Sequence, residues 1–557
     1  MTFFGFLARL WAASGTFLNP DEALHFRLAN QLSWAQAYKE SLTASHPPLL
    51  TFLLYYWRAA GTSELWLRLL PVLAGVVFCW MFYKWLSKAV GALAGFIGLL
   101  FVAFLPPIIF IAAEIRQYSL LLAFLASALY FLDDAFEKNS TSRMAAFSLF
   151  LYLALLSHYS AFLFAAALGI YALFRIFTEH PGLKLVTVWA AGQLGALVLA
   201  TFLYETHLSK LGAGDSRTVL QGWMSEFYLN RSYFEAGRDN PLRFVIGHSF
   251  GVFQFVFGQL AVGDVAGLFF VAVLVLLLRG RAARSLPLSA APRFALLLIL
   301  PFAFACGASL AHFYPYGGTR HSAILVIPAV AGVSIAIAQF VRVGWARAVG
   351  LAALIVMLCV VFGKQHQPYM LRSDQSQSHM NDAINFLRLN TASDLILTDY
   401  ESDLILGHYL CRQKQIMFEA SIPDFEVFSC EGVRVVSASY KTATLFDVNR
   451  FLISWDTLIE TYHLKPGDKV WVFQGGWGVN LPEDLQHDFA EFHNLRIESF
   501  GRNIKIFQLT VGQPMPTGRP VTTNYFPPAR FSPSARRTIS SGMLRPSFFV
   551  TTPKLPE

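Results

Sequence analysis

Charge is scarce in this chain. Asp, Glu, Lys and Arg make up 14% of the 557 residues, whereas 55% are hydrophobic and 15% aromatic. A soluble globular protein of this length does not carry that balance, but a multispanning membrane protein does. Cysteine is rarer still. Of five, Cys79, Cys306 and Cys359 lie inside apolar runs, which excludes a disulfide framework. Only Cys411 and Cys430 are placed to pair outside a membrane. The N-terminus lacks a signal-peptide cleavage pattern, so its apolar run reads as a retained anchor. Internal repeats are lacking too. Acidic residues number 35 against 43 basic ones, a net charge of +8. Basic cytoplasmic loops account for that excess, and no nucleic-acid partner is expected.

Apolar stretches long enough, or nearly so, to span a membrane fall at about 3–19, 64–86, 90–112, 118–133, 144–158, 160–177, 185–204, 264–279, 294–311, 322–340 and 346–363. Alternate connections hold Lys84 and Lys88, Lys138 and Arg143, Arg175 and Lys184, then Arg279, Arg281, Arg284 and Arg293, and last Arg342 and Arg347. With eleven spans all of these share one side, which the positive-inside rule makes cytoplasmic. The apolar segment 242–262 would break that pattern as a span and reads as an interfacial helix. Arg9 weakens the first span. The expected fold is a polytopic α-helical membrane protein of about 11 transmembrane helices, with a C-terminal extracytoplasmic α/β domain. Residues 1–363 form the transmembrane part with external loops 20–63 and 205–262, residues 364–512 the α/β domain, and 513–557 a disordered Pro-, Ser- and Arg-rich tail.

Within the external region, SHMNDAINFLRLN and ESDLILGHYLCR have helical spacing, while DLILTDY, KVWVFQG and RIESFGRNIKIFQL read as strands. The last of these folds back at Gly501 as a hairpin. The GGWG run at 475–478 follows a strand without a basic residue after it, and reads as a turn rather than a phosphate loop.

Candidate chemistry sits at the ends of the spans. In FLNPDEALHF, residues 17–26, Asn19, Pro20 and Glu22 make a capping box that starts a surface helix running to about Lys39. Glu22 closes the box and Asp21 is left free at the positive end of the helix. His46 precedes two prolines in SHPPLL. In EIRQYSL, Glu114 and Tyr118 are four apart and would share a helical face, with Arg116 pointing elsewhere. His158 and Tyr159 occupy a tight outer turn in SHYSAF, and Arg320 and His321 follow a Gly-Gly pair in YPYGGTRHSAIL. Each has a bland reading as a turn residue or a snorkelling cation. The topology places all of them at one outer surface, where acids, histidines, tyrosines and arginines suit a substrate with a lipid tail in the bilayer and a phosphate at its edge.

The order of DEA, HPPLL, W…G-x-SE…RLLP, E-x-R-x-YSLLL, HYS and TRH resembles the polyprenyl-phosphate-sugar-dependent glycosyltransferases of the GT-C superfamily. It is most similar to glycosyltransferase family 39, which covers protein O-mannosyltransferase-like and lipid A aminoarabinose transferase-like enzymes. The resemblance covers about residues 15–340 and is most specific over 15–75. It implies inverting sugar transfer on the outer face of the membrane, with Asp21, Glu22 beside it, and Glu114 as the acids. Many members have Arg-Pro-Tyr where this chain has Arg116-Gln117-Tyr118, and a Tyr where it has His321. Those departures leave the sugar and acceptor open.

The expected mechanism is a single displacement, with Asp21 as general base or orienting group. Arg116 and Arg320 would neutralise the leaving phosphate, supported by His46 and His158, with Tyr118, Tyr159 and His321 as further substrate-binding candidates. Glu114 would hold a divalent cation with a His, or pair with Arg116; no other cofactor is expected. The partners are a polyprenyl-phosphate sugar lipid donor, a lipid, glycan or protein acceptor, and membrane lipids. The expected location is the bacterial inner (plasma) membrane, with site and C-terminal domain facing the periplasm or exterior. A polyprenyl-linked sugar transporter or flippase is the alternative. Transporters, however, usually carry polar or broken helices at mid-membrane depth, and here the polar residues lie at the outer ends.

Overall fold

The computed structural model describes residues 1–211, 229, 231–279, 291–343, 346–359, 374–391, 395–419, 424–489, 492 and 495–512. The expected tail, Arg281 and Arg284, and parts of the 205–262 loop and of the link after 363 lie outside the described residues. Met1–Arg519 forms one compact unit.

The first part of the chain is helical: α1 (Thr2–Ala13), α2 (Pro20–Ala29), α3 (Trp34–Ser41), α4 (Leu49–Trp57), α5 (Glu64–Ala89), α6 (Ala92–Phe104), α7 (Pro106–Ala113), α8 (Tyr118–Lys138), α9 (Thr141–Ser157), α10 (Ala161–Glu179) and α11 (Leu183–Leu203). After these come α12 (Pro241–Phe257), α13 (Leu260–Leu278), α14 (Ala291–Leu310), a 3-10 turn Arg320–Leu325, α15 (Val326–Arg342) and α16 (Arg347–Cys359). All eleven expected apolar stretches fall on helices. Among the described residues, seven helical stretches are long and apolar enough to cross a membrane, and eight if α6 and α7 count as one broken span. The helices α1, α9 and α16 are apolar but shorter. The segment expected to be interfacial is α12, whose second half, Val252 to Phe257, is buried against the helical core.

Two expectations fail for local reasons. The surface helix does not run from Pro20 to Lys39: it stops at Asn30, and a new helix begins at Trp34 with Ser33 as its cap. The 90–112 stretch is not straight either, for α6 and α7 meet at 57°. Pro106 and Pro107 carry no N–H, so the carbonyls of Val102 and Ala103 lose the donors that positions 106 and 107 would otherwise supply. Arg9, fully buried, replaces them: Nη2 donates to Val102 O at 2.6 Å and Nη1 to Ala103 O at 3.0 Å. Gly75 leaves room for this side chain, since a Cβ there would lie 2.9 Å from Arg9 Nε. The charge that weakened the first apolar stretch is therefore the group that caps a broken neighbour.

At the other end of the helices, Asp133 accepts from Trp85 Nε1 at 2.9 Å, Tyr171 Oη at 2.8 Å and Arg175 Nη1 at 2.8 Å. These bonds tie α5, α8 and α10.

The C-terminal region is a sheet domain with helices on both faces. Its elements are α17 (Gln377–Asn390), β1 (Leu395–Thr398), α18 (Tyr400–Leu410), β2 (Phe425–Cys430), β3 (Val433–Ala438), α19 (Val448–Tyr462), β4 (Lys469–Gly475), α20 (Leu481–Asp488), β5 (Ile497–Ser499) and β6 (Ile504–Thr510). The strand order is β2-β3-β1-β4-β6-β5. β1 runs parallel to both β3 and β4, and the remaining pairs are antiparallel. Period-two alternation sends Ile396, Val435 and Phe473 to one core and Leu397, Val436 and Val472 to the other. The hairpin turns at Gly501 (φ +70°) as expected. Cys411 and Cys430 form a disulfide between the end of α18 and β2. The link back to the helices is Thr16–Phe17: Thr16 bridges Ser376, and Phe17 is buried in the first of these cores.

Replacing Arg9 by Met should lower the Tm of the purified protein, because two buried carbonyls lose their donors at about 1–3 kcal/mol each. Arg9→Lys, with one point donor, should recover only part of that loss.

Candidate active site

The site is built on the first turn of α2. Asn19 accepts from Glu22 N at 3.0 Å, and Glu22 Oε2 accepts from Asn19 N at 3.0 Å, so the expected capping box is formed. Glu22 is fully buried. Its Oε1 also accepts from Ile115 N at 3.0 Å and Arg68 Nε at 2.7 Å, and its Oε2 from Arg68 Nη2 at 2.6 Å. Arg68 spends its remaining donors on Ala13 O, Thr16 O, Thr16 Oγ1 and Phe17 O. Glu22 is thereby turned into the fold.

Asp21 points the other way, and it is not free. Its Oδ1 lies 2.7 Å from Arg116 Nη1 and its Oδ2 2.5 Å from Arg320 Nη2, with the carboxylate 21% exposed. Burial pushes this carboxyl up, but the two arginines outweigh burial and hold it at about 2. The expectation that Glu114 and Tyr118 share a helical face with Arg116 turned away is overturned. The helix is broken over 114–117 by the end of α7, and Ile115 N is taken by Glu22. Extended backbone at Glu114 (ψ 151°) brings its Oε2 to 3.7 Å from Arg320 Nη1 and its Oε1 to 3.5 Å from Asn19 Nδ2. Burial pushes the Glu114 carboxyl up to about 7, against the pull of Arg320 and with the push of Glu22.

Histidines and tyrosines line the rest. His46 stacks on His158 at 5.3 Å between ring centres and lies 5.9 Å from His25. Tyr118 packs 5.3 Å from His158, and Arg116 sits 5.7 Å above the Tyr118 ring. Burial, and then Arg116, hold His25 and His158 at about 3; burial and the neighbouring His158 hold His46 well below its usual value. All three are neutral at pH 7. His25 Nδ1 and Nε2, His158 Nε2 and Tyr118 Oη are buried with no hydrogen-bond partner among the described residues. Buried polar atoms without partners are costly, and several converging on one place mark where a polar ligand would sit. His321 lies 3.4 Å from Thr319 Oγ1 and has Arg320, His158, Arg116 and Asp21 among its electrostatic neighbours. Tyr159 is not brought in: its hydroxyl pairs with His207 Nδ1, whose Nε2 meets Ala44 O.

Counted over these groups, Arg116 and Arg320 face one ionised carboxylate, Asp21, while the three histidines are neutral. With Glu114 protonated, below about pH 7, one positive charge is left over. Asp21 spends both carboxylate oxygens on the arginines, while Glu114 lies 3.5 Å from Asn19 Nδ2 and 3.7 Å from Arg320 Nη1. Among the described residues no three of His, Cys, Asp and Glu gather as metal ligands.

Residues 45–204 match the family model described as dolichyl-phosphate-mannose-protein mannosyltransferase. The resemblance to GT-C glycosyltransferases is borne out there. The matched segment holds His46, Arg68, Glu114, Arg116, Tyr118 and His158; Asp21 and Arg320 flank it. Among solved structures, the chain is similar to ArnT from Cupriavidus metallidurans bound to undecaprenyl phosphate, at 13% identity and TM-score 0.49, covering 92% of this chain and 98% of that one. It is also similar to the Archaeoglobus fulgidus oligosaccharyltransferase tethered with an acceptor peptide, at 10% identity and TM-score 0.46, covering 88% and 70%. No curated relative matches the sequence.

Five residues of this site escaped the sequence reading. His25 was legible, since it lies four after Asp21 on the same helix and so shares its face. Arg68, Tyr314 (its ring 6.2 Å from that of His158), Glu401 (with Asp21 and Arg320 among its charged neighbours) and Trp477 (its ring 5.9 Å from Arg320 Cζ) reach the site only through tertiary packing.

Glu22→Gln should cost stability of about 3–5 kcal/mol, because it leaves Arg68 charged and buried without its partner. Asp21→Asn should cost less, and thermal melts of the two purified variants check the order.

Proposed function

We propose that this chain is a membrane glycosyltransferase that moves a sugar from a polyprenyl-phosphate-linked donor to an acceptor hydroxyl on the outer face of the membrane. The carrying observation is Asp21 between Arg116 and Arg320, beside buried histidine and tyrosine atoms without partners. The surplus positive charge equals that of one phosphodiester, and guanidinium forks suit phosphate oxygens. Tyr118 Oη and His158 Nε2 supply further donors. The apolar flanks of the helices suit the lipid tail. The family match over 45–204 supports the same reaction class. The Cys411–Cys430 disulfide supports an oxidising compartment, hence an outer-face location for the sheet domain.

Donor binding and base activation are coupled in this reading. Without donor, Asp21 occupies both arginines and is too weak a base to take a proton. A phosphate arriving at Arg116 and Arg320 draws them from Asp21, whose pKa rises. The acceptor oxygen then attacks the anomeric carbon from the face opposite the phosphate, with inversion. Its proton passes to Asp21, the bond from carbon to phosphate oxygen breaks, and the phosphate monoester leaves with its charge on the arginines. Glu22 supports the fold of this turn, and Glu114, neutral below about pH 7, leaves Arg320 to the phosphate.

Asp21→Asn separates this reading from a purely structural one. Transfer should fall about a hundredfold or more, while undecaprenyl phosphate, used as probe, should bind more tightly, by about tenfold or ~1.4 kcal/mol. Weaker lipid binding in the variant, or unchanged transfer, overturns the assignment. The pH profile gives a second check. Glu114 ionises as pH rises through about 7 and then competes for Arg320. The kcat/KM for the phosphodiester donor should therefore decline above about pH 7, and Glu114→Gln should flatten that limb.

A further inference from the structure

The helix carrying Asp21 is gripped by the sheet domain. Arg27, on α2, pairs with buried Asp403 of α18 at 2.9 and 3.1 Å, Asn30 Nδ2 donates to Gln413 O at 3.0 Å, and Tyr409 Oη takes Leu18 N at 2.8 Å. In this sheet β1 lies between β3 and β4, which the chain reaches in opposite directions, and the carboxyl ends of β1 and β4 are neighbours through Thr398 and Phe473. Such a switch point opens a crevice where α/β sheets bind ligands. Here the crevice faces α2. Gly476, at φ +105°, packs so closely that a Cβ would lie 2.7 Å from Pro20 Cγ. Trp477 is placed with its ring 5.9 Å from Arg320 Cζ. Glu401, in the first turn of α18, has a buried Oε2 with no partner among the described residues, and Asp21 and Arg320 are among its charged neighbours.

We propose that the sheet domain carries the acceptor subsite, with Glu401 and Trp477 binding a neutral, hydroxyl-bearing acceptor and presenting its hydroxyl to Asp21. This rests on the glycosyltransferase reading above. The donor phosphate has its own groups on the helical side, in Arg116, Tyr118 and His158. On the sheet side, Asp399 and Asp21, the charged neighbours of Glu401, disfavour a second anion, whereas a sugar hydroxyl fits. Burial, with Asp21 and Asp399 beside it, raises the Glu401 carboxyl well above its usual value, and in its protonated form the carboxyl both donates to and accepts from such hydroxyls. The Trp477 ring offers the flat apolar surface that a sugar ring covers. Glu401 is a positioning residue, for the proton of the reaction goes to Asp21.

The test uses the full-length protein added to membranes from cells lacking it, which hold unmodified acceptor and unspent donor, with product counted by mass spectrometry. Glu401→Leu and Trp477→Ala should each raise the acceptor concentration needed for half-maximal rate by at least about tenfold, a loss of ~1.4 kcal/mol in binding, whereas Glu401→Gln, which keeps a neutral donor and acceptor, should stay near wild type. Undecaprenyl phosphate binding, measured separately by native mass spectrometry, should stay within about twofold of wild type, as one ~0.4 kcal/mol difference would allow. Wild-type acceptor dependence in both Glu401→Leu and Trp477→Ala overturns the proposal, as does loss of lipid binding in Glu401→Leu, which would put Glu401 on the donor side. A wild-type protein that binds no undecaprenyl phosphate and forms no product overturns the glycosyltransferase reading itself, and the subsite with it.

Discussion

Glu22 and Arg68 form the contact on which the site depends. A carboxylate and a guanidinium buried together lose their hydration, and the pair holds only if every oxygen and N–H finds a partner. Here that condition fixes geometry. The two oxygens of Glu22 take donors from Asn19 N, Ile115 N and Arg68, and Arg68 satisfies carbonyls at Ala13, Thr16 and Phe17. One pair thus joins the end of α1, the start of α2, the outer part of α5 and the break before α8. Asp21 precedes Glu22 at the start of a helix, so fixing Glu22 inward leaves Asp21 aimed outward at the arginines.

The second constraint is the break over residues 114–117. An intact helix would put Glu114 and Tyr118 on one face and Arg116 on another. Because Ile115 N goes to Glu22, the backbone opens, and Arg116 swings to Asp21 while Glu114 reaches Asn19 and Arg320. The same logic operates at Pro106-Pro107, where Arg9 takes over two carbonyls. In both places a broken helix needs a distant side chain to satisfy its backbone. The distant residue then becomes part of what orders the region.

These two features explain what the sequence could and could not tell. Helix locations, the capping box, the sheet domain and the convergence of Asp21, Arg116 and Arg320 are carried by local signals: apolar length, N-P-D-E, strand alternation and loop sidedness. Orientation was not local. Nothing in EIRQYSL says that Ile115 N is claimed from α2, and nothing near Arg9 says that it serves α6. The disulfide between Cys411 and Cys430 was reachable by elimination, and β2 and β3 went unread because their patterns are short and partly polar, whereas α19 carries a legible helical spacing in Val448, Phe451, Trp455 and Leu458. Glu401 and Trp477 could not be read at all, since their link to Asp21 runs through the packing of α2 on α18.

The adjacent acids therefore carry opposite electrostatic duties that neither could exchange. Glu22 is ringed by donors that stay put, so its charge is spent on structure. Asp21 is held by two arginines that a phosphate can compete for, so its charge is available on condition. That condition favours an order of events. An acceptor or a water molecule arriving before the donor meets a carboxylate held at about 2, which takes no proton. In the reaction proposed above, phosphate draws the arginines away, the base is exposed, and water becomes a competitor for the activated sugar. A roof over Asp21 that admits a hydroxyl-bearing ring and excludes loose solvent then matters as much as the base itself. Gly476 against Pro20 and Trp477 over Arg320 stand where such a roof would be needed. The tight grip of the sheet domain on α2 fits the same proposed requirement: a base released only on donor binding would have to be released into a closed space.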